Sequence, residues 1–377
     1  MTEPRIENPM AEWLAACCAG PEGISFSRFM ESALYHPDWG YYASGRALIG
    51  REGDFYTSVS VGPCFGQLLA RRVAEWWREA GSPAHWPLVE QGSHDGRLMA
   101  DVLDALAALG VPSPSVFLVE PFPALRERQE RTLSAWVGSV NWTASLCDLP
   151  PEAKGGVFLA NELLDAFPVE RLRWQGGGWV RLNVVVRVAV TGPAFEWRPV
   201  PIDSPELAEA LRSIPSAERP DGYTTEVRLG LAAWAADLAS GAAPRLALLA
   251  DYGFSADDYF HPARIDGTLA CYAGHRHRED ALADPGLGDL TAHVDWTAAC
   301  RALQAAGLEP GTPTDQGRWL TAVAAPHLLA LEASGPPDTS TRAWLRQFQT
   351  LVHPSHLGLR FQILEAGADR RETRIRG

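Results

Sequence analysis

PLVEQGSHDGRLMADVLDAL, residues 87–106, runs from a short apolar stretch into an acid, then two glycines four apart, then an amphipathic pattern. A buried strand, a glycine turn and a helix are the simplest reading of that order. Gly92 and Gly96 let the main chain bend where a side chain would obstruct it. The helix that follows sets Leu98, Val102, Leu106 and Leu109 on one face. Such a unit is one step of a parallel sheet covered by helices.

The neighbouring segments repeat the step. QLLARRVAEWWREAG reads as a helix ending at Gly81. SVFLVEPF, VNWTASL and GGVFLANELLDAFPV read as strands, with a helix over PALRERQERTLSAWVG. Short buried strands alternating with helices predict an α/β fold with a doubly wound, Rossmann-like sheet. Near residue 170 the pattern changes, because ERLRWQGGGWVRLNVVVRVAVTGPAFEWRPV alternates between glycine turns and so predicts inserted antiparallel strands. SPELAEALRSI and EVRLGLAAWAADLASG read as helices, PRLALLADYGF as a return to the parallel sheet, and residues 267–298 as a polar loop. Three helices and a strand at LRFQILEAG follow. Before the core, residues 8–35 are helical with a break at GPEG, a new cap at Ser25 and a stop at Pro37; a long loop follows. The predicted organisation is a helical N-terminal extension (1–50), a cofactor-binding core (51–170), an inserted accessory substrate domain of strands and helices (171–245), and completion of the core sheet with C-terminal helices (246–377).

Composition excludes several classes. The 377 residues are 46% hydrophobic and carry a formal charge of −13, with no clustered basic stripe, so no nucleic-acid partner is expected. Six cysteines without a CxxC pair suggest neither a zinc site nor a redox dithiol. No run approaches the roughly 18 apolar residues of a membrane span, and no leader pattern is visible, so the expected location is cytoplasmic. A homodimer is left open.

Free main-chain N–H groups at the turn after residue 91 lie where doubly wound folds bind ligands. A dinucleotide site needs G-x-G-x-x-G, and here only two glycines bracket Ser93, His94 and Asp95. Glu90 before the turn and Asp95 within it are poor company for a diphosphate and good company for a cation. S-adenosylmethionine, with its sulfonium and ammonium groups, fits. Glu120, 28 residues beyond Gly92, ends the second strand where a carboxylate can accept both ribose hydroxyls. Asp148 could meet an adenine amino group, with Leu149 covering the ring. Asn161 and Glu162 stand at the exposed end of the fourth strand, where a methyl group would leave.

With those residues in place, the chain resembles the MidA family of S-adenosylmethionine-dependent methyltransferases, whose mitochondrial members are complex I assembly factors that methylate an arginine. The resemblance spans about residues 22 to 365 and rests on SFSRFMESALYHPDWGYYAS, GDFYTS, LVEQGSHDGRLMADVL, LVEPFPALRERQ, LANELLDAFPVER, GTLACYAGHR, DLTAHVDW and TDQGRWL. It implies cofactor contacts at Gly53, Asp54, Phe55, Thr57, Glu90, Gly92, Gly96, Glu120, Asp148 and Leu149. It also implies a wall of Asn161, Glu162 and Asp165 facing the transferred methyl. Family members read GPGRGTL where this chain reads GSHDGRL, so His94 stands in place of a glycine. For an arginine acceptor, Glu162 and Asp165 would hold the guanidinium by paired hydrogen bonds; as a helix cap and a solvated acid they would do nothing. His275, His277 and His293 lie near Asp289 and Asp295. His293 is the candidate to take a proton, and no metal is expected. The expected acceptor is a protein arginine. The alternatives are a small molecule of a specialised pathway, or a cofactor-binding assembly factor without turnover.

Overall fold

The computed structural model describes residues 8–44, 57–136, 138–189, 192–273 and 276–368. In chain order, α1 (Pro9–Cys17), β1 (Ile24–Ser25) and α2 (Phe26–Tyr35) precede α3 (Cys64–Glu79). Then come β2 (Pro87–Gln91), α4 (Arg97–Ala108), β3 (Ser115–Val119), α5 (Pro123–Thr132), β4 (Val140–Thr143) and β5 (Val157–Asn161). The inserted region supplies β6 (Glu170–Gln175), β7 (Gly178–Ala189), β8 (Gly192–Val200), α6 (Pro205–Arg212) and β9 (Thr224–Val227). The chain continues with α7 (Leu231–Gly241), β10 (Leu246–Phe254), α8 (Ala256–Tyr259), β11 (Ala270–Ala273), β12 (Arg276–Arg278), β13 (Asp289–Thr291) and β14 (Val294–Asp295). It closes with α9 (Trp296–Ala305), β15 (Glu309–Pro310), β16 (Thr314–Asp315), α10 (Gln316–Ala333), α11 (Thr339–Val352) and β17 (Phe361–Gly367).

The large sheet has the order β15-β17-β10-β5-β2-β3-β4. Strands β10, β5, β2, β3 and β4 are parallel, and β17 returns antiparallel to β10. From β2 the chain steps outward through β3 to β4, then crosses back to place β5 on the other side of β2. The strand order therefore reverses between β2 and β5, and the carboxyl ends of those two strands bound the crevice where such sheets bind ligands. Gln91 pairs with Ala160, so the two ends are level.

Both faces of the sheet are buried, which explains the continuous apolar runs. Along β10, Leu246, Leu248 and Ala250 pack on one side with α3, α4 and α10, while Ala247 and Leu249 pack on the other with α7 and α9. Phe158 in β5 is fully buried; cutting it to Ala would cost roughly 3–5 kcal/mol.

A second, five-stranded sheet contains β1, β6, β7, β8 and β9. The GPEG break expected between two helices is followed by β1, which pairs antiparallel with β7 through Ile24 and Val184. The hydroxyl of Ser25 caps α2 by accepting the Arg28 N–H at 3.2 Å. Phe26 and Phe29 of α2 pack against Trp197 and Phe195 of β8, joining the N-terminal helices to this sheet. Two expectations need correction. The helix expected from Glu226 starts at Leu231, because Glu226 and Val227 end β9. Residues 267–298, expected as a loop, carry β11 to β14 and the start of α9; these strands are two to four residues long, too short to show a period of two.

Candidate active site

The turn between β2 and α4 is built on three left-handed residues: Gly92 (φ +77°), His94 (φ +47°) and Gly96 (φ +81°). A Cβ on Gly96 would come within 3.3 Å of the Gln129 Cα, so the turn sits tightly on α5. His94 adopts a conformation that favours glycine, which leaves strain in the turn. Gln129, fully buried, fastens it: its Nε2 donates to the His94 carbonyl and to Glu120 Oε2, both at 3.1 Å, and its Oε1 accepts from Trp142 Nε1 at 2.9 Å. The other Glu120 oxygen accepts the Phe122 N–H at 3.0 Å.

A cavity of about 460 Å³ opens over the switch point, a size that suits a small-molecule ligand. Its described lining includes seven carboxylates, from Glu31, Glu90, Asp95, Glu120, Glu162, Asp165 and Asp289. Against them stand Arg97, which pairs with Asp95 at 3.3 Å, and His94. The cavity therefore favours cations. Glu90 is 2% exposed, and its Oε2 has no hydrogen-bond partner among the described residues. Burial pushes its carboxyl up to about 8, with Asp95 adding to the effect and the nearby Ser93 hydroxyl opposing it.

At the end of β5, Glu162 holds φ +51°, unusual for a residue with a Cβ. No helix begins there for it to cap. Its Oε1 accepts from Asn161 Nδ2 at 2.9 Å and its Oε2 from the Tyr252 hydroxyl at 2.7 Å. Burial raises its carboxyl to about 7. Asp165 is not a solvated acid: it is 3% exposed, and burial raises it to about 6 against the opposing charge of Arg228. The loop carrying both acids is clamped on two sides. Asp251 Oδ2 accepts the N–H groups of Leu164 (2.9 Å) and Asp165 (3.2 Å). Arg228 donates to the carbonyls of Asp165 (3.0 Å), His293 (2.6 Å) and Ala292.

Among the residues singled out from sequence, Thr57, Glu90, Gly92, Glu120, Asn161, Glu162 and Asp165 line this one cavity. Gly96 starts α4 beside it. Asp148 and Leu149 are not among the described lining residues: Asp148 is exposed and accepts from Ser145 Oγ at 2.8 Å, while Leu149 is buried in the core. The His293 ring lies against Tyr252 and Phe254 rather than in the described lining, and burial, with Arg264 and Arg228 adding, lowers it to about 4. Gly53, Asp54 and Phe55 fall outside the described residues. Among the described residues no group of three or more His, Cys, Asp or Glu side chains is arranged to hold a metal, and no helix is long and apolar enough to cross a membrane.

Sequence reasoning missed Tyr252, Asp251, Arg228, Gln129, Glu31, Tyr35 and Tyr42 as parts of this site. Asp251 carried a usable signal, since it is an acid that follows the buried apolar run of β10 as Glu90 follows that of β2. Arg228 and Gln129 carried none.

A family model for S-adenosyl-L-methionine-dependent methyltransferases, Methyltransf_28, matches residues 68–314. The chain belongs to this family. The methyltransferase is also similar to a superfamily member from Burkholderia thailandensis whose structure holds S-adenosyl-homocysteine: 32% identity, TM-score 0.82, covering 96% of this chain and 94% of that one. Curated relatives include the mitochondrial protein arginine methyltransferase NDUFAF7 of Bos taurus, 28% identical over 96% of this chain and 85% of its own length. Its Homo sapiens counterpart is 27% identical over 90% and 78%. The expected cytoplasmic location is thereby overturned, since these relatives are named as mitochondrial.

S-adenosylmethionine is the cofactor of this methyltransferase. The site residues suit it. The unpartnered Glu90 oxygen beside a glycine turn wants a cationic donor, and Glu120 is fixed by main-chain and amide donors at the end of β3.

Proposed function

We propose that the enzyme methylates an arginine of a protein, with Glu162 receiving the acceptor guanidinium. The carrying observation is Glu162 itself: left-handed, buried, held by two donors and lining an acid-rich cavity. The naming of the curated relatives as protein arginine methyltransferases supports the choice of acceptor.

Glu90 and the Gly92 turn would hold the amino-acid part of S-adenosylmethionine, and Glu120 its ribose hydroxyls. When bound, the cofactor supplies a methyl group on a sulfonium, already a good leaving group. The protein's task is alignment in a dry space. Glu162 and Asp165 orient the guanidinium by charge-assisted hydrogen bonds, which present one nitrogen. With its carboxyl raised to about 7, Glu162 is also suited to take the proton that nitrogen sheds.

The acceptor wall is drawn from Glu31, Tyr35 and Tyr42 of the N-terminal segment and from Asp289 and Thr291 of β13. The Tyr35 and Tyr42 rings stack at 5.5 Å, Tyr35 donates to the Ala166 carbonyl at 2.9 Å, and Tyr42 donates to Asp289 Oδ1 at 2.9 Å. Aromatic faces beside carboxylates suit a flat cation. Of residues 171–245, expected to shape the substrate groove, Gly230 is in the described lining. The inserted sheet's part in acceptor binding is thus a bracing one, through α2 and Arg228.

Incubating the enzyme with methyl-labelled cofactor and mitochondrial protein, then hydrolysing the protein, tests this reading. Label in methylarginine is expected. Label in a small molecule, or in another amino acid, would replace it.

A further inference from the structure

The end of β10 does more than close the sheet. Tyr252 reaches Glu162 Oε2 with its hydroxyl at 2.7 Å, while Asn161 Nδ2 takes Oε1 at 2.9 Å, so each carboxylate oxygen is held by one donor. The Glu162 N–H is tied to the Ala250 carbonyl at 2.8 Å, one strand over. The Tyr252 ring is itself fixed, against Phe361 at 4.5 Å and edge-on to His293 at 5.9 Å. Its main-chain N–H donates to Asp251 Oδ1 at 2.9 Å, and the other oxygen of Asp251 holds the loop carrying Glu162 and Asp165.

We propose that Tyr252 is a positioning residue of the methyl transfer, fixing both the direction and the ionised state of the Glu162 carboxylate. This rests on the role given to Glu162 above. A carboxylate at left-handed backbone could swing away from the acceptor; two donors on opposite oxygens stop it and leave the remaining lone pairs for a guanidinium. A hydrogen bond to the charged form also favours that form. Burial keeps the Tyr252 phenol well above its ordinary range, so it remains a donor across the working pH range.

The other charged groups around Glu162 are Asp165 on its own loop, Asp251 beside Tyr252 on β10, and Arg228 after β9, which faces Asp165 and the 292–293 carbonyls. Burial and the charge of Asp165 oppose ionisation of Glu162, and the donors from Tyr252 and Asn161 counter them. Removing one donor while keeping the ring should leave cofactor binding alone and make the carboxylate harder to ionise.

The test is Tyr252→Phe. With carbon-13 in glutamate carboxyls and the Glu162 resonance assigned through Glu162→Gln, the Glu162 titration midpoint of the cofactor-free protein should rise by about one pH unit. In turnover, the acidic limb of kcat should move up by a similar amount, kcat at pH 7 should fall roughly fivefold, and the dissociation constant for S-adenosylhomocysteine should stay within about twofold. Replacing Tyr252 with 4-aminophenylalanine, which restores a donor on the ring, should bring the midpoint back. An unchanged midpoint in a variant that still binds S-adenosylhomocysteine would overturn the proposal, as would loss of activity at all pH values without movement of the limb. If wild-type enzyme never labels arginine, the acceptor reading fails, and the midpoint still decides the role of Tyr252. Should Tyr252→Phe not fold, the aminophenylalanine protein, compared with one carrying 4-methylphenylalanine, gives the same comparison.

Discussion

Glu90 stands where a carboxylate is costly to ionise until a cation arrives. Its carboxyl is raised to about 8 by burial, so near neutral pH the empty site holds a proton that a bound ammonium would displace. Calorimetry in buffers of different ionisation enthalpy should show proton release on S-adenosylhomocysteine binding, and Glu90→Gln should abolish that release. The substitution should also weaken binding by roughly 10- to 100-fold, the loss of one hydrogen bond to a charged group. Unchanged affinity would move Glu90 out of the cofactor site. At His94 the expectation runs the other way. Glycine accepts φ +47° without the strain of a side chain, so His94→Gly should raise stability by about 1 kcal/mol in denaturant titration. The acids that end strands, Glu90 and Glu120, were legible because a charge after a buried apolar run has one place to go. Gln129 and Tyr252 were not, since their partners come from segments distant in sequence.

The helix-and-strand alternation through β5 could be read directly, because helices of 9 to 16 residues leave a clear period and strands buried on both faces leave continuous apolar runs. The reading blurred where elements shrink. Strand β1 is two residues long and exists only through pairing with β7, which no local pattern announces. Strand β9 merged with the helix after it because Val227 continues that helix's apolar run. The consequence for function lies in α2, which packs into the core through Phe26, Phe29, Met30 and Ala33. Since Glu31 and Tyr35 also line the cavity, Tyr35→Ala should raise the acceptor KM by about tenfold, a loss near 1.4 kcal/mol of binding. Cofactor affinity, measured separately, should hold. A fall in cofactor affinity with unchanged KM would assign α2 to the other half of the cavity.

Across the whole molecule, three carboxyls of the site are ones that folding makes harder to ionise, while Asp95 beside them is shifted down. Glu90, Glu162 and Asp165 are raised to about 8, 7 and 6. The folded state therefore binds protons more tightly than the unfolded chain. The stability from these groups is fully present below about pH 4 and is lost as pH rises through 6 to 8. The cofactor-free protein should accordingly melt at lower temperature at pH 8 than at pH 6, and Glu90→Gln should flatten that slope by an amount on the order of 1 kcal/mol. Saturating S-adenosylhomocysteine should flatten it as well. A slope identical in wild type and variant would show that Glu90 does not titrate in this window.

Cofactor binding and acceptor chemistry should separate at one residue. Glu162→Gln keeps the shape of the cavity while removing the charge proposed to receive the guanidinium. Tritium transfer from methyl-labelled S-adenosylmethionine to protein arginine, measured beside S-adenosylhomocysteine affinity, tests this most directly. The expected result is affinity within about threefold of wild type and transfer reduced by at least 100-fold, the scale of losing a proton acceptor. Full transfer by the variant, or label that never enters arginine in the wild-type enzyme, would contradict it.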